Sequence, residues 1–195
     1  MFENISAAMK SRMKFLEDID IKDRTDGTGK LKRLRQIPAE TGKFLALQAA
    51  NCPLSGDFVE IGTSAGYSAL WISLALSNGK LKTFELLPEK INLAKETFLS
   101  AGVSNKIELI EGDFLNCHDV LGKISFCFID CEKHLYEKCF DIVSEKMISG
   151  GMVICDNAIN HYEALRSMME KAEKDNRFDC LMVPIGKGEF ICRRK

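Results

Sequence analysis

The sequence predicts an α/β fold: a doubly wound, mostly parallel seven-stranded sheet with an antiparallel C-terminal hairpin, preceded by N-terminal helices. Three observations predict it. The apolar run ending at Ile61 passes through Gly62-Thr63-Ser64-Ala65-Gly66 into residues with helical apolar spacing, Tyr67, Leu70, Trp71 and Leu74. Strand, glycine turn and helix open a βαβ unit. From residue 57 onward, short apolar runs alternate with helical patterns, as parallel strands joined by crossover helices require. The last two runs, 178–183 and 189–192, are linked only by Pro184-Ile185-Gly186-Lys187-Gly188, which suits a hairpin.

A chain of 195 residues can bury one full core. A single domain over 1–195 is therefore expected, with a helical segment at 1–50 and an α/β core at 57–195. The formal net charge of −1 neither demands nor excludes a nucleic-acid partner. No apolar run approaches the roughly 20 residues needed to span a bilayer. The N-terminus also lacks the apolar core of an export signal. Eight scattered cysteines, several inside strand-like runs, then read as free buried thiols in a cytoplasmic protein.

In chain order, Met9, Met13, Leu16 and Ile19 share one helical face, which the stretch around Gly27 and Gly29 interrupts. The basic run Lys30-Leu31-Lys32-Arg33-Leu34-Arg35 reads as a solvated helix face, with a phosphate-binding patch as the alternative. Pro38 starts a second helix, which Asn51-Cys52-Pro53 stops. The first strand is 57–61, and the helix behind its glycine turn runs to residue 76. The second strand ends at Lys82-Thr83-Phe84-Glu85, and Pro88 starts a helix that closes near Gly102. Residues 106–110 form the third strand and 124–129 the fourth, whose apolar character fits a parallel strand covered on both faces. A helix over about 135–147 leads through Gly150-Gly151 to a fifth strand at 152–155, and 161–174 is helical.

Functional groups of such sheets gather at the carboxyl ends of the strands. Those ends read Glu60, Glu85, Asp113, Asp130 and Asp156, five acids in phase, and point to a site along that rim. Glu85, 25 positions beyond Glu60, is placed to accept the ribose hydroxyls of an adenosine moiety, or else to cap the helix after Pro88. Asp113 is placed to accept an adenine amino group or to cap the next helix. The first loop reads E-x-G-x-x-x-G, not the G-x-G-x-x-G of a dinucleotide cradle, so S-adenosylmethionine fits better than NAD.

Asp130 and Asp156-Asn157 end strands expected to be neighbours, about 5 Å apart. Two carboxylates and an amide oxygen suit a hard cation, Mg²⁺ first and Ca²⁺ or Mn²⁺ as alternatives. Zinc at Cys131, His134 and Cys139 matches no common spacing. Lys133 follows Asp130 by three residues and can turn back over the rim. An ammonium beside a divalent cation is disfavoured, which suits Lys133 to a general-base role.

The segments E-I-G-T-S-A-G-Y-S (60–68), F-E-L-L-P (84–88), E-G-D (111–113), F-I-D-C-E-K-H-L-Y (128–136), G-G-M-V-I-C-D-N (150–157) and P-I-G-K-G (184–188) together resemble one family. It is the metal-dependent O-methyltransferases of the catechol and caffeoyl-coenzyme A type, with a Rossmann-like methyltransferase fold. The resemblance runs in order from about Ile37 to the C-terminus. It implies Asp130, Asp156 and Asn157 as metal ligands and Lys133 as the catalytic base. It also implies that Glu60, Gly62, Thr63 and Ser68 surround the methionine part of S-adenosylmethionine. Glu85 would hold the ribose, Asp113 and Phe114 the adenine, and Ile37 would close over the cofactor, with Asp130 beside it.

Two departures bear on the acceptor. Residues 158–162 pass almost directly into a helix where family members often carry a longer pocket loop, and the N-terminal part is short. Both argue against a bulky thioester and leave the pocket open, which suits a small hydroxylated, catechol-like acceptor first. The alternative implied by bacterial relatives is 5-hydroxyuridine in tRNA, with Arg33, Arg35, Arg193, Arg194 and Lys195 meeting phosphates. A non-catalytic S-adenosylmethionine-binding module is the reading from another class. The resemblance also implies a homodimer, paired through the N-terminal helices, and Cys131 beside the metal raises the question of oxidation.

Overall fold

The computed structural model describes residues 1–195. Strands β1 (Asp57–Ile61), β2 (Leu81–Glu85), β3 (Ile107–Glu111), β4 (Ile124–Ile129), β5 (Met147–Cys155), β6 (Phe178–Val183) and β7 (Glu189–Arg194) form one sheet. Their order is β3-β2-β1-β4-β5-β7-β6, parallel except where β7 pairs with β5 and β6. The order reverses between β1 and β4, so their carboxyl ends diverge around a crevice.

Alternation along the strands divides the core in two, because successive side chains leave a sheet on opposite faces. Phe58, Phe126, Phe128, Met152 and Ile154 face one side. There they meet α1 (Ala7–Asp23), α2 (Ala39–Ala50), α3 (Tyr67–Ser73) and α4 (Pro88–Ser100). Val59, Ile61, Cys127, Ile129, Val153 and Cys155 face the other. Against them lie α5 (Phe114–Cys117), α6 (Tyr136–Lys146) and α7 (Tyr162–Lys174). β4 is buried at every residue, as its unbroken apolar run requires. No helix is long and apolar enough to cross a membrane, and all eight cysteines are free.

Three expectations are corrected. The basic run at 30–35 is not a helix. Lys32 and Arg33 N–H both donate to Gly29 O in a turn, and the chain then runs on without regular structure as a strap, with Arg35 at φ 51°. Two buried acids on α1 hold it there: Asp23 accepts from Leu34 N at 2.6 Å and Asp20 from Gln36 N at 3.2 Å. The fifth strand begins at Met147, not 152. Its register with β4 shifts between the Ile124–Met147 and Phe126–Met152 pairs, so Gly150-Gly151 forms a bulge within the strand rather than a turn before it. The helix after the glycine loop stops at Ser73 instead of 76, where Lys106 Nζ donates to the Ser73 and Leu76 carbonyls.

Candidate active site

A cavity of about 820 Å³ opens at the carboxyl ends of β1, β2 and β4. Backbone bonds step along this rim from strand to strand. Gly62 and Thr63 N–H donate to Phe84 O, Asp130 N–H to Ile61 O and Asp156 N–H to Ile129 O, all between 2.9 and 3.1 Å. The glycine loop, the Asp130 segment and the Asp156 segment are thus held edge to edge. Gly62 has φ 104°, and a Cβ there would run into the Asp130 carbonyl. Gly66 has φ 88° and lies against the Phe98 ring. These contacts, more than chain flexibility, are why the loop needs glycine.

Ile37, Gly62, Thr63, Ser68, Glu85, Asp113, Phe114, Asp130, Lys133 and Asn157 all line the cavity. Glu85 is tied down by backbone: Oε1 accepts from Leu86 N and Leu87 N at 3.0 Å each, and Oε2 from Ser64 N at 2.7 Å. It therefore fastens the glycine loop rather than capping α4, and still faces the cavity. Asp113 takes the capping role, accepting from Leu115 N at 3.0 Å at the head of α5, and also lines the cavity. Phe114 packs edge-on against Phe84, ring centres 5.1 Å apart. Ser64, a non-glycine residue at φ 49°, donates its hydroxyl to Leu34 O at 2.9 Å and so joins loop to strap.

Of the five rim acids, Glu60 and Asp156 do not line this cavity. Glu60 lies one residue inside β1, so strand alternation turns it into the core beneath the loop, where it is wholly buried. Oε2 accepts from Thr83 Oγ1, whose oxygen lies 2.6 Å from Thr63 Oγ1, while Oε1 has no partner. Glu60 therefore supports the loop from below. Burial pushes its carboxyl up to about 7 from the usual 4.5. The folded state then binds this proton more tightly than the unfolded chain. Stability is unaffected below pH 4.5 and falls as pH rises to about 7, by about 3 kcal/mol in all. Glu60→Gln is expected to remove that share of the decline, read from denaturant unfolding of both proteins at pH 5 and pH 8. Parallel losses in the two would contradict it.

Asp130, Asp156 and Asn157 converge. Asn157 Nδ2 donates to Asp130 Oδ1 at 3.0 Å and to Asp156 Oδ2 at 2.6 Å, so the amide sits between two carboxylates. Asn157 holds this position at φ 68°, a conformation asparagine tolerates better than most residues. Asp156 is 3% exposed and stands just behind the cavity wall. Burial and then the charge of Asp130 raise its pKa. Lys133 Nζ donates to Asp130 Oδ1 at 3.1 Å, Cys131 O at 3.2 Å and Tyr136 Oη at 2.7 Å.

Two residues escaped the sequence reading of roles. Tyr136, fully buried, donates to Asp156 O at 3.2 Å and so ties Lys133 to the β5 end. Glu189 is fully buried with neither oxygen paired to a donor, and its carboxyl is pushed well up by burial and by neighbouring Asp156. Tyr136 closes the segment F-I-D-C-E-K-H-L-Y, on which the family resemblance partly rests. Glu189 had no local signal, because only the β5–β7 pairing, Cys155 opposite Phe190, brings it to Asp156. The five basic residues offered for phosphates do not gather. Arg33 and Arg35 line the cavity, whereas Arg193 pairs with Met152, well below the rim on β5.

A model of the family described as O-methyltransferase matches residues 5–195. The chain belongs to the O-methyltransferase family. The enzyme class expected from the sequence, S-adenosylmethionine-dependent O-methyl transfer, stands with it. A catechol O-methyltransferase of Niastella koreensis is 31% identical over 135 residues, 66% of this chain and 61% of that protein. Caffeoyl-CoA O-methyltransferase 1 of Eucalyptus globulus is 29% identical over 202 residues, 84% of this chain and 81% of its own length. In fold, the chain is similar to an SAH-bound Podospora anserina methyltransferase, with TM-score 0.80 and 21% identity over 98% of this chain and 89% of that one. An O-methyltransferase from Bacillus cereus in complex with SAH has TM-score 0.78 and 19% identity, each chain fully covered.

Each of the two groups implied by the family resemblance has candidate residues here, though no cluster of three or more His, Cys, Asp or Glu side chains is present for a cation. For the cofactor, Gly62 leaves backbone bare where a Cβ would fill the cradle, and Glu85 is presented by three fixed N–H groups beside it. For a cation, Asp130 and Asp156 offer carboxylate oxygens on either side of the Asn157 amide, which turns its Nδ2 to both. The side-chain amide can present its oxygen instead by rotating 180°, because its two ends are nearly isosteric.

Proposed function

We propose that this O-methyltransferase methylates one hydroxyl of a small catechol-like acceptor, with a divalent cation, Mg²⁺ first, held by Asp130, Asp156 and Asn157. The observation that carries the reading is the convergence of those three side chains with Lys133 at the ends of β4 and β5, beside the glycine loop. When bound, the cofactor supplies an electrophilic methyl group on sulfur and the cation supplies Lewis acidity toward the acceptor hydroxyl.

The chain's own residues do the rest. Glu85 accepts the ribose hydroxyls, Asp113 and Phe114 enclose the adenine, and Gly62, Thr63 and Ser68 admit the methionine part. Ile37 and the strap, sewn to α1 and to Ser64, close the cavity against water. Asp130 and Asn157 orient the acceptor oxygens, and positioning of this kind supplies much of the acceleration in a direct displacement. Lys133 engages Asp130, Cys131 O and Tyr136 as donor. Asp130, Asp156 and Asn157 would hold the cation, and Lys133 Nζ, held beside them, is the group placed to take the acceptor's hydroxyl proton.

Methyl transfer from labelled S-adenosylmethionine tests the reading, with a catechol panel and with unmodified and 5-hydroxyuridine-containing tRNA. Labelling of a catechol with Mg²⁺ is expected, falling at least about 100-fold with a chelator. Labelling indifferent to the chelator would remove the cation from the scheme, and labelling of the hydroxylated tRNA alone would replace the acceptor. Homodimerisation is proposed as well: Phe15 and Ile21 stay exposed on α1, and sedimentation velocity reads it directly.

A further inference from the structure

The cavity wall differs in charge from the protein it belongs to. The whole chain has a formal net charge of −1. Seven Lys and Arg side chains nevertheless line the cavity against four carboxylates. Three of these cations are neutralised in place: Arg24 by Asp20 at 2.8 Å, Arg35 by Glu132 at 2.6 Å and Lys133 by Asp130 at 3.1 Å. Lys30, Arg33, Lys90 and Lys187 form no ion pair. Lys90 lies at the Glu85 end, and Arg33 donates Nε to Thr28 O.

Lys30 and Lys187 come from opposite ends of the sequence to the Asn157 side of the cavity. Lys187 is fixed there by backbone. Its carbonyl accepts from Ile159 N at 3.2 Å and Asn160 N at 3.3 Å, and His161 N donates to Asn157 O at 2.9 Å. His161 also lines the cavity, and its pKa is lowered by partial burial and then by the charges of Lys133, Lys30 and Lys187. Three lysines from three segments thus share the cavity lining with His161 and act on it electrostatically, and of the three only Lys133 is paired to a carboxylate, Asp130. S-adenosylmethionine carries a net charge of about +1 at neutral pH from its sulfonium, ammonium and carboxylate, and a divalent cation adds more. Asp130 and Asp156 would offset a divalent cation, which leaves Lys30 and Lys187 in the cavity lining without a carboxylate partner.

We propose that the acceptor carries an anionic group, a carboxylate or a phosphate, apart from its reacting hydroxyl, and that Lys30 and Lys187 receive it at the mouth of the cavity. The inference rests on the proposed methyl transfer and adds a charge requirement to its substrate. Calorimetry on the SAH-loaded protein with Mg²⁺ tests it without turnover, using 3,4-dihydroxybenzoate against its neutral isostere 3,4-dihydroxybenzamide. A second pair, 5-hydroxyuridine 5′-monophosphate against 5-hydroxyuridine, reads phosphate in the same way.

The anionic member of at least one pair is expected to bind about tenfold more tightly, with an advantage that shrinks as salt rises. Which pair responds identifies the anion. In the Lys30→Ala, Lys187→Ala double variant the advantage is expected to vanish while SAH affinity is unchanged. Equal binding within both pairs, or an advantage that survives in the double variant, would overturn the proposal. Selective acid binding without any methyl transfer would support this inference and sink the transfer reading, so the two fail separately.

Discussion

Asp130→Asn is expected to lower kcat/KM for methyl transfer by about three orders of magnitude, the scale of several kcal/mol of lost charge stabilisation. The reason is its position as the hub of the site. Asp130 Oδ1 accepts from Lys133 Nζ and from Asn157 Nδ2, and its backbone N–H is the step that joins β4 to β1. The substitution leaves volume and the backbone bond intact but removes the charge that a cation and Lys133 both need. Affinity for SAH is expected to stay within about tenfold, because Glu85 and the glycine loop do not depend on that charge. Initial rates with labelled S-adenosylmethionine, with SAH calorimetry on the same protein, measure both quantities. Retention of more than a tenth of the activity would remove Asp130 from the centre of the scheme.

Gly62→Ala is expected to act on the other half of the site. A residue with a Cβ at φ 104° is strained, and here the added carbon also meets the Asp130 carbonyl, which is part of a strand end and cannot swing aside. The two effects together are expected to destabilise the fold by about 2–5 kcal/mol and to weaken SAH binding by at least about tenfold. Gly102→Ala is the matched control. Gly102 also has positive φ, at 71°, but nothing lies within 4 Å of its added carbon. It should show the backbone strain alone, about 1–2 kcal/mol, with SAH affinity unchanged. Denaturant unfolding and calorimetry on the two variants separate the terms. Equal losses would mean that the close approach to Asp130 is immaterial.

Much of this protein was legible in the sequence because it is local. The unbroken apolar run of β4, the glycine turn after β1 and Pro88 at the head of α4 each set their element through the chain's own neighbours. Ten of the twelve site residues expected from the rim acids and from the family resemblance line one cavity, and those just past a parallel strand have nowhere to go but the rim. What only the tertiary structure decided depends on pairing and on direction. Strand parity turned Glu60 beneath the loop, and the β5 end set Asp156 behind the wall. Two buried acids on α1 drew the basic run out as a strap, where its composition favoured a helix. Glu189 became a neighbour of Asp156 only through antiparallel register, and the same register carried Arg193 away from Arg33 and Arg35. The physical reason is common to all of these. A side chain's type and spacing are properties of the chain, but the face it takes and the charge it meets are set by a partner strand or helix distant in sequence.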